Sequence, residues 1–180
     1  MNQKTVLTPM QLFFCAKLMD AVYYDYAYLA AMPDVQKEYA LHEQETMEEL
    51  EDQGMIERDF DDNVEMAEDL RELLTPVFLG EKEGRLDVEG KPSCRFHSKD
   101  GVITMTVLEN GKITISGSSE GEMRVLLKSG QDITVHGADV KVGQTARSYT
   151  AEELQDPAAL NAAVQLLKGE VCSGRKYLYQ

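Results

Sequence analysis

The chain has 180 residues, of which 43% are hydrophobic, and its 32 acidic and 18 basic side chains give a formal net charge of −14. This length suffices to bury a core as one domain, whereas the negative charge disfavours nucleic acid, whose phosphates bind lysine and arginine. The longest apolar run near the start, "LFFC", is too short for a signal-peptide core or a membrane span, so we expect a cytoplasmic protein with reduced cysteines.

The negative charge is concentrated in one segment. Residues 34–83 carry 18 Asp and Glu against 4 Lys and Arg, which accounts for the net charge of the whole chain. Such a surface repels nucleic acid, and it is compatible either with a basic partner or with a role in solubility alone.

The first helix is predicted by several signals in "LTPMQ". Thr8 is a suitable N-cap, Pro9 fits the first helical position, and Gln11 completes a capping box. Apolar residues then recur at spacings of three and four: Leu12, Cys15, Met19, Val22, Tyr26 and Leu29. The pattern favours a helix that continues to Ala31. The alternative is a helix that ends near Asp20, followed by a short strand in "AVYYDY".

Residues 21–32 contain four of the eight tyrosines of the chain. In a helix, Tyr26 joins the buried stripe with Tyr23 beside it, so we expect both in the core. Tyr24 and Tyr28 lie four residues apart on another face. We therefore predict that Tyr24 and Tyr28 bind a partner.

Two further helices are expected in the acidic segment. One begins at Asp34 and ends at Gly54, a residue suited to a left-handed helix stop. "GMIERD" then predicts a brief extended crossing. A third helix, capped by the polar residues 61–63, runs through "VEMAEDLRELL" to Pro76.

From residue 85 the sequence changes to short β-type segments separated by turns. The predicted strands are "RLDVEG", "CRFHS", "VITMTVLE", "KITISG", "MRVLLKS", "DITVHG" and "DVKV". Asp-Gly at 100–101 and Asn-Gly at 110–111 are typical hairpin turns. The order predicts an antiparallel meander.

Helical signals return after the meander. Thr150 and Glu153 form a potential capping box, Asp156 precedes a proline, and Gly169 ends the apolar pattern. The whole chain is thus predicted to be α+β, with N-terminal helices, a central antiparallel β-meander and a C-terminal helix. We expect one domain over 1–180, in which an acidic helical subdomain (1–80) precedes the β-meander and helix (81–180).

Two segments of the sequence match metal-binding motifs only in part. "HEQET" at His42 has Thr46 in place of the second zinc ligand, which indicates a surface histidine. "DFDDNVE" at Asp59 starts like a calcium loop, but Val64 and Leu70 occupy the positions of the required glycine and glutamate, so we interpret it as a helix cap. We therefore predict a protein without catalytic residues, metal or cofactor.

One combination keeps an enzymatic alternative open. His97 and His136 lie in predicted strands, where they can meet in space, and Cys94 is close in sequence. Two histidines and a cysteine are possible zinc ligands. A pocket that contains His97 or His136 would favour the hypothesis of an enzyme of unrecognised type.

The N-terminal half resembles the EspG-like and EsaE-like proteins of type VII (ESX) secretion systems. The resemblance covers residues 6–78 and comprises "LTPMQLFFCAKLMDAVYYDY", "LEDQGMIERD" and "NVEMAEDLRELLTPV". Leu50, Gly54, Met55 and Ile56 match the family's pattern at the end of the second predicted helix. Leu73 and Pro76 match its pattern at the end of the third. The resemblance implies a cytosolic secretion chaperone or accessory factor that binds a helical secreted substrate through a hydrophobic patch.

Two binding hypotheses follow for the function. The first is the secretion chaperone or accessory factor. The alternative is an acidic immunity or inhibitor protein whose charged segment masks the basic active site of a toxin. Both predict another protein as the partner, with neither nucleic acid nor membrane.

Overall fold

The computed structural model describes residues 3–21, 35–98 and 102–170, which build a seven-stranded antiparallel sheet flanked by helices from both ends of the chain. The described elements are β1 Lys4–Leu7, α1 Pro9–Leu18, α2 Val35–Asp52, β2 Ile56–Arg58, β3 Val64–Met66, α3 Glu68–Leu79, β4 Lys82–Val88, β5 Cys94–Ser98, β6 Val102–Val107, β7 Ile113–Ser118, α4 Glu120–Leu127, β8 Ile133–Asp139, β9 Gly143–Tyr149, a 3-10 turn Glu153–Gln155 and α5 Pro157–Leu167. The predicted α+β class is confirmed.

The main sheet has the strand order β1-β7-β6-β5-β4-β8-β9, and β2 and β3 form a separate hairpin. The meander is confirmed for β4 to β7, where consecutive strands pair. The chain then passes through α4 and adds β8 on the other side of β4. Strand β8 is therefore a neighbour of β4 and not of β7, which precedes it in the chain.

Two hydrophobic clusters cover opposite faces of this sheet. Because successive residues of a strand face opposite sides, each strand contributes to both faces. α1, α2 and α3 pack on the β1-β7-β6 end through a cluster that includes Leu7, Leu74, Met105, Ile113 and Ile115. α4 and α5 pack on the other face through a cluster that includes Leu86, Phe96, Val135, Leu127 and Val164. Among the described residues, the hydrophobic cluster of each layer covers only part of its sheet face.

The start of α1 is as predicted, but its end is not. Thr8 and Gln11 form the capping box, with reciprocal bonds of 3.0 and 3.1 Å between backbone N–H groups and side-chain oxygens. A continuous helix to Ala31 is wrong, because α1 ends at Leu18. Asp20 has a φ of 51°, and the Ala21 N–H donates to the Ala16 carbonyl (2.9 Å), which closes the helix as a left-handed cap does.

The end of α2 at Gly54 is confirmed. The N–H groups of Gly54 and Met55 donate to the carbonyls of Glu51 and Leu50, both at 2.9 Å, and Gly54 has a φ of 69°. This is the Schellman arrangement, in which a residue without a Cβ takes the left-handed position at no steric cost.

The predicted start and end of the third helix are wrong. Val64–Met66 is the strand β3, and α3 begins at Glu68. Strand pairing takes these residues out of the helix, because it places Met66 opposite Ile56 with both side chains buried. Pro76 lies inside α3, which continues to Leu79, because the next turn buries Val77 and Phe78.

The predicted strand "MRVLLKS" is helix α4. Ser119 and Glu122 form a capping box with two bonds of 3.1 Å, and Met123 and Leu127 are buried one helical turn apart. The Ser-x-x-Glu signal was overlooked in favour of the apolar run. Met123 and Leu127 belong to the cluster under α5, so tertiary packing also favours the helix.

The C-terminal part of the prediction is partly wrong. "DVKV" forms the end of β8 and a turn, and the following strand, Gly143–Tyr149, was not predicted. Thr150 and Glu153 do form the capping box, but it starts only the 3-10 turn. The final helix is confirmed: Asp156 caps α5, and Gly169 follows its end with a φ of 72°.

Candidate functional site

The uncovered sheet face beside the N-terminal helices forms a shallow groove of about 480 Å³. We call it the sheet groove. Its lining comes from β4, β8 and β9: Glu83, Gly84, Arg85, His136, Gly137, Ala138, Gln144, Thr145 and Ala146.

Asp87 is the centre of a polar cluster at this groove. Its carboxylate accepts from Arg85 Nε (3.1 Å) and Ser93 Oγ (2.6 Å) and lies 2.9 Å from His136 Nε2. Burial raises the pKa of Asp87, but the hydrogen bond from Ser93 and the charges of Arg85 and His136 outweigh burial. The net effect is a pKa below its ordinary value, so the carboxylate stays ionised.

This cluster is not arranged for nucleophilic catalysis. A serine nucleophile needs a base against its hydroxyl, whereas the Ser93 hydroxyl donates to Asp87, and His136 contacts the same carboxylate. The charges are also neutralised within the groove, because Asp87 pairs with Arg85, and Glu83 lies 3.4 Å from the buried Arg95. The groove therefore has no excess charge with which to attract an ionic ligand.

The three candidate metal ligands do not converge. His97 and His136 share a sheet face but lie on β5 and β8, on either side of β4. Cys94 faces the other side, where its Sγ lies 3.3 Å from the Thr106 hydroxyl. Across residues 3–21, 35–98 and 102–170, no group of three or more His, Cys, Asp or Glu side chains is placed to hold a metal ion.

The thiols of the described cysteines are unreactive. Burial raises the pKa of the Cys15 thiol to about 12. Burial also raises the pKa of Cys94 and outweighs the opposing effects of Thr106 and Arg95. Since the thiolate is the reactive form, neither residue is an activated nucleophile.

His42 lies on the exposed surface of α2, as predicted, with Glu38 at 3.5 Å and Glu45 at 3.1 Å. The predicted partner-binding residues Tyr24 and Tyr28 lie outside the described residues. The predicted core residues Tyr23 and Tyr26 lie there as well.

The segment at Asp59 is a hairpin turn between β2 and β3, so its interpretation as a helix cap is wrong. The Asp59 carboxylate accepts from the backbone N–H groups of Asp61 (2.8 Å) and Asn63 (2.9 Å) and from the Asn63 side-chain amide (2.8 Å). The bonds from Asn63 are the main cause of a lowered pKa at Asp59. Asp62 takes a left-handed conformation with a φ of 60°.

The hairpin is fixed to the helices behind it. Ile56 and Met66 are buried in the N-terminal cluster, and the Ala67 N–H donates to the Met55 carbonyl at 2.9 Å. Arg58 contacts one carboxylate oxygen of Glu51 through both Nε (3.0 Å) and Nη2 (2.6 Å). These contacts attach both strands of the hairpin to α2 and α3.

Phe60 lies at the tip of this hairpin and is fully exposed. The exposed large hydrophobic side chains of the neighbouring helices are less accessible: Leu41 of α2 is 68% exposed and Leu79 of α3 is 51% exposed. Sequence analysis missed Phe60. The available signal was a single aromatic residue among carboxylates, at a turn position where polar residues are usual.

The hairpin belongs to an acidic surface, which we define as the exposed carboxylates of α2, β2–β3 and α3: Glu43, Glu45, Glu48, Glu49, Asp52, Glu57, Asp59, Asp61, Asp62, Glu65, Glu68, Asp69 and Glu72. Arg58 links its parts. The hydrogen bond that Arg58 donates to Glu51 is the main cause of a raised Arg58 pKa, and the charges of Glu51, Asp62 and Glu48 raise it further. The helix and the hairpin therefore present their charge together.

The acidic residues of α2 oppose its own stability. Glu45 and Glu49, and likewise Glu48 and Asp52, repel each other at i,i+4 spacing, at about 0.2–0.5 kcal/mol a pair. The last turn holds acidic residues and no basic one, although the negative end of the helix dipole favours cations. Stability alone therefore does not account for this charge, and local conflicts of this kind are typical of functional sites.

Comparison of the chain with protein-family models, with curated proteins and with solved structures finds no match. None of the helices within the described ranges is long and apolar enough to cross a membrane.

Proposed function

We propose that this protein binds another protein, and that the acidic surface contacts basic residues of that partner. The observation that carries the proposal is the distribution of charge. Residues 38–80 contain fifteen acidic residues and only Arg58 and Arg71 as basic ones, and most of the carboxylates are exposed on one surface.

Unpaired surface charge of one sign acts over distances of about 10 Å in dilute salt and raises the rate at which an oppositely charged partner associates. The same charge repels nucleic acid and anionic membrane surfaces. The neutralised sheet groove and the unreactive thiols favour binding over catalysis. A cytoplasmic location remains part of the proposal.

The most specific form of the proposal is a type VII secretion chaperone or accessory factor with a helical secreted substrate. It rests on the sequence resemblance of residues 6–78. An immunity or inhibitor protein that masks a basic toxin site is the second form, and the acidic surface supports it equally.

Isolation of the complex from the source cells, followed by kinetics with the purified partner, tests the proposal. We expect an association rate that falls steeply as salt rises, because screening shortens the reach of the acidic surface. A steep fall with a toxin as partner indicates the inhibitor, and a dissociation rate set by apolar contacts with a helical partner indicates the chaperone. A partner that binds with a salt-independent rate would contradict the role of the acidic surface.

A further inference from the structure

Phe60 differs from every other phenylalanine in the protein. Phe14, Phe78 and Phe96 are buried, Phe13 is partly buried against the N-terminal cluster, and Phe60 is fully exposed. Burial of a phenylalanine stabilises a fold, so the fold forgoes that contribution at this position. The ring contributes nothing to the core and is available for contact with another molecule.

The backbone that carries Phe60 is held in one conformation. The Asp59 carboxylate accepts hydrogen bonds from the N–H groups of Asp61 and Asn63, and the Asp59 N–H donates to the Asn63 carbonyl at 3.0 Å. Arg58 attaches the base of the hairpin to Glu51 of α2. A side chain presented on an ordered turn loses little backbone entropy when it binds, which favours affinity.

The surroundings of Phe60 specify the chemistry of its partner. Asp59, Asp61 and Asp62 are exposed beside it, and Glu57 and Glu65 face each other across the hairpin. An anionic lipid surface or a nucleic acid is repelled by these carboxylates. A protein surface with an apolar pocket edged by lysine or arginine complements both the ring and the charge around it.

We propose that Phe60 is the apolar anchor of the interface, inserted into an apolar pocket edged by basic residues on the protein partner. The inference rests on the proposed function, because it assigns an anchor within the same acidic surface. Aromatic residues at the centre of an interface often contribute most of its binding energy, while the charged residues around them govern association.

Two synthetic peptides of about 18 residues, the length of five helical turns, distinguish the contribution of Phe60 to binding from that of the acidic surface. One contains lysine and leucine on opposite helix faces, and the other contains the same lysines with glutamine in place of leucine. We expect Phe60→Ala to weaken binding of the lysine/leucine peptide at least about tenfold, as loss of an interface hot spot does. Binding of the lysine/glutamine peptide should stay unchanged.

Val125→Ala is the matched control, because Val125 is an exposed apolar residue on α4, outside the acidic surface. It should leave the affinity for both peptides unchanged, and both variants should unfold at the wild-type temperature. If Phe60→Ala bound the lysine/leucine peptide with unchanged affinity, the proposal that Phe60 anchors the interface would be wrong. Failure of the lysine/glutamine peptide to bind the wild-type protein would instead contradict the proposed function, and with it the anchor.

Discussion

The two helical layers of this protein have the same structural role but differ in how far their charged side chains are paired. Each covers part of one sheet face, α1 to α3 on one side and α4 with α5 on the other. In the C-terminal layer, Glu120 pairs with Arg124 (3.0 Å) and Lys168 (3.2 Å). The hydrogen bonds from Arg124 and Lys168 lower its pKa.

In the N-terminal layer, the described residues 35–79 contain fifteen acidic side chains and only three lysines and arginines, Lys37, Arg58 and Arg71. Covering a sheet face therefore does not require an acidic surface, as the C-terminal layer demonstrates. The difference supports the proposal that the acidic residues of α2 and the hairpin contact another molecule. Substitutions in the two layers can test this interpretation, because they should change stability in opposite directions.

The largest effect is expected from Gly137→Ala, which disrupts the C-terminal layer. Gly137 and Gly84 are paired across β8 and β4, and a Cβ on either would collide with the backbone carbonyl of Leu166 or Leu167 at the end of α5. We expect the free energy of unfolding, measured by urea denaturation, to fall by about 3 kcal/mol, which is the upper end of the range for an overpacked core. Gly121→Ala on α4 is the control, because its Cβ would meet only Ser119 Oγ at 3.6 Å. Equal stability of both variants would argue against this packing of α5.

Asp87→Asn should have the next largest effect, with a defined pH dependence. At neutral pH the variant loses the ion pair with Arg85 and weakens the hydrogen bond with His136, which should lower the free energy of unfolding by about 1–2 kcal/mol. Because the Asp87 pKa is lower in the folded than in the unfolded protein, ionisation of Asp87 stabilises the fold at pH values above the pKa of the unfolded state, about 3.9. This stabilisation is lost as the pH falls through the pKa of the folded state. The difference in free energy of unfolding between the variant and the wild-type protein should therefore shrink below about pH 4. Glu89→Gln, at an exposed turn, is the control, and a difference that persists at low pH would contradict the assignment.

Asp52→Lys should stabilise the protein. It removes the repulsion from Glu48 and places a cation at the C-terminal end of α2, which we expect to add about 0.5–1 kcal/mol. For a chain of this size that raises the unfolding temperature by roughly 1–4 °C in calorimetry. Glu89→Lys changes the net charge equally and should leave the temperature nearly unchanged. A destabilised Asp52→Lys variant would show that Asp52 supports the fold.

The elements that sequence predicts correctly are those fixed by local signals. The Thr8 capping box, the left-handed stop at Gly54 and the Asp156 cap depend only on neighbouring residues. The errors occur where distant contacts decide. β3 exists because Met66 pairs with Ile56, and α4 buries its residues under α5.

The candidate site was predictable only in its charge. The acidic segment is evident from composition, whereas the exposure of Phe60 depends on how the hairpin is attached to α2 and α3. The partner-binding role of Tyr24 and Tyr28 remains a prediction from sequence.

Titration of the lysine/glutamine peptide into two variants of equal charge tests the binding role of the acidic surface most directly. The first combines Glu48→Gln, Asp52→Asn and Asp62→Asn on the acidic surface, and the second removes three exposed carboxylates elsewhere, Glu89→Gln, Glu109→Gln and Glu152→Gln. With about 0.5 kcal/mol for each exposed charge pair, the first should bind about tenfold more weakly at low salt. The second should bind like the wild-type protein. Equal weakening of both variants would contradict the account, because the peptide would then respond to net charge and not to this surface.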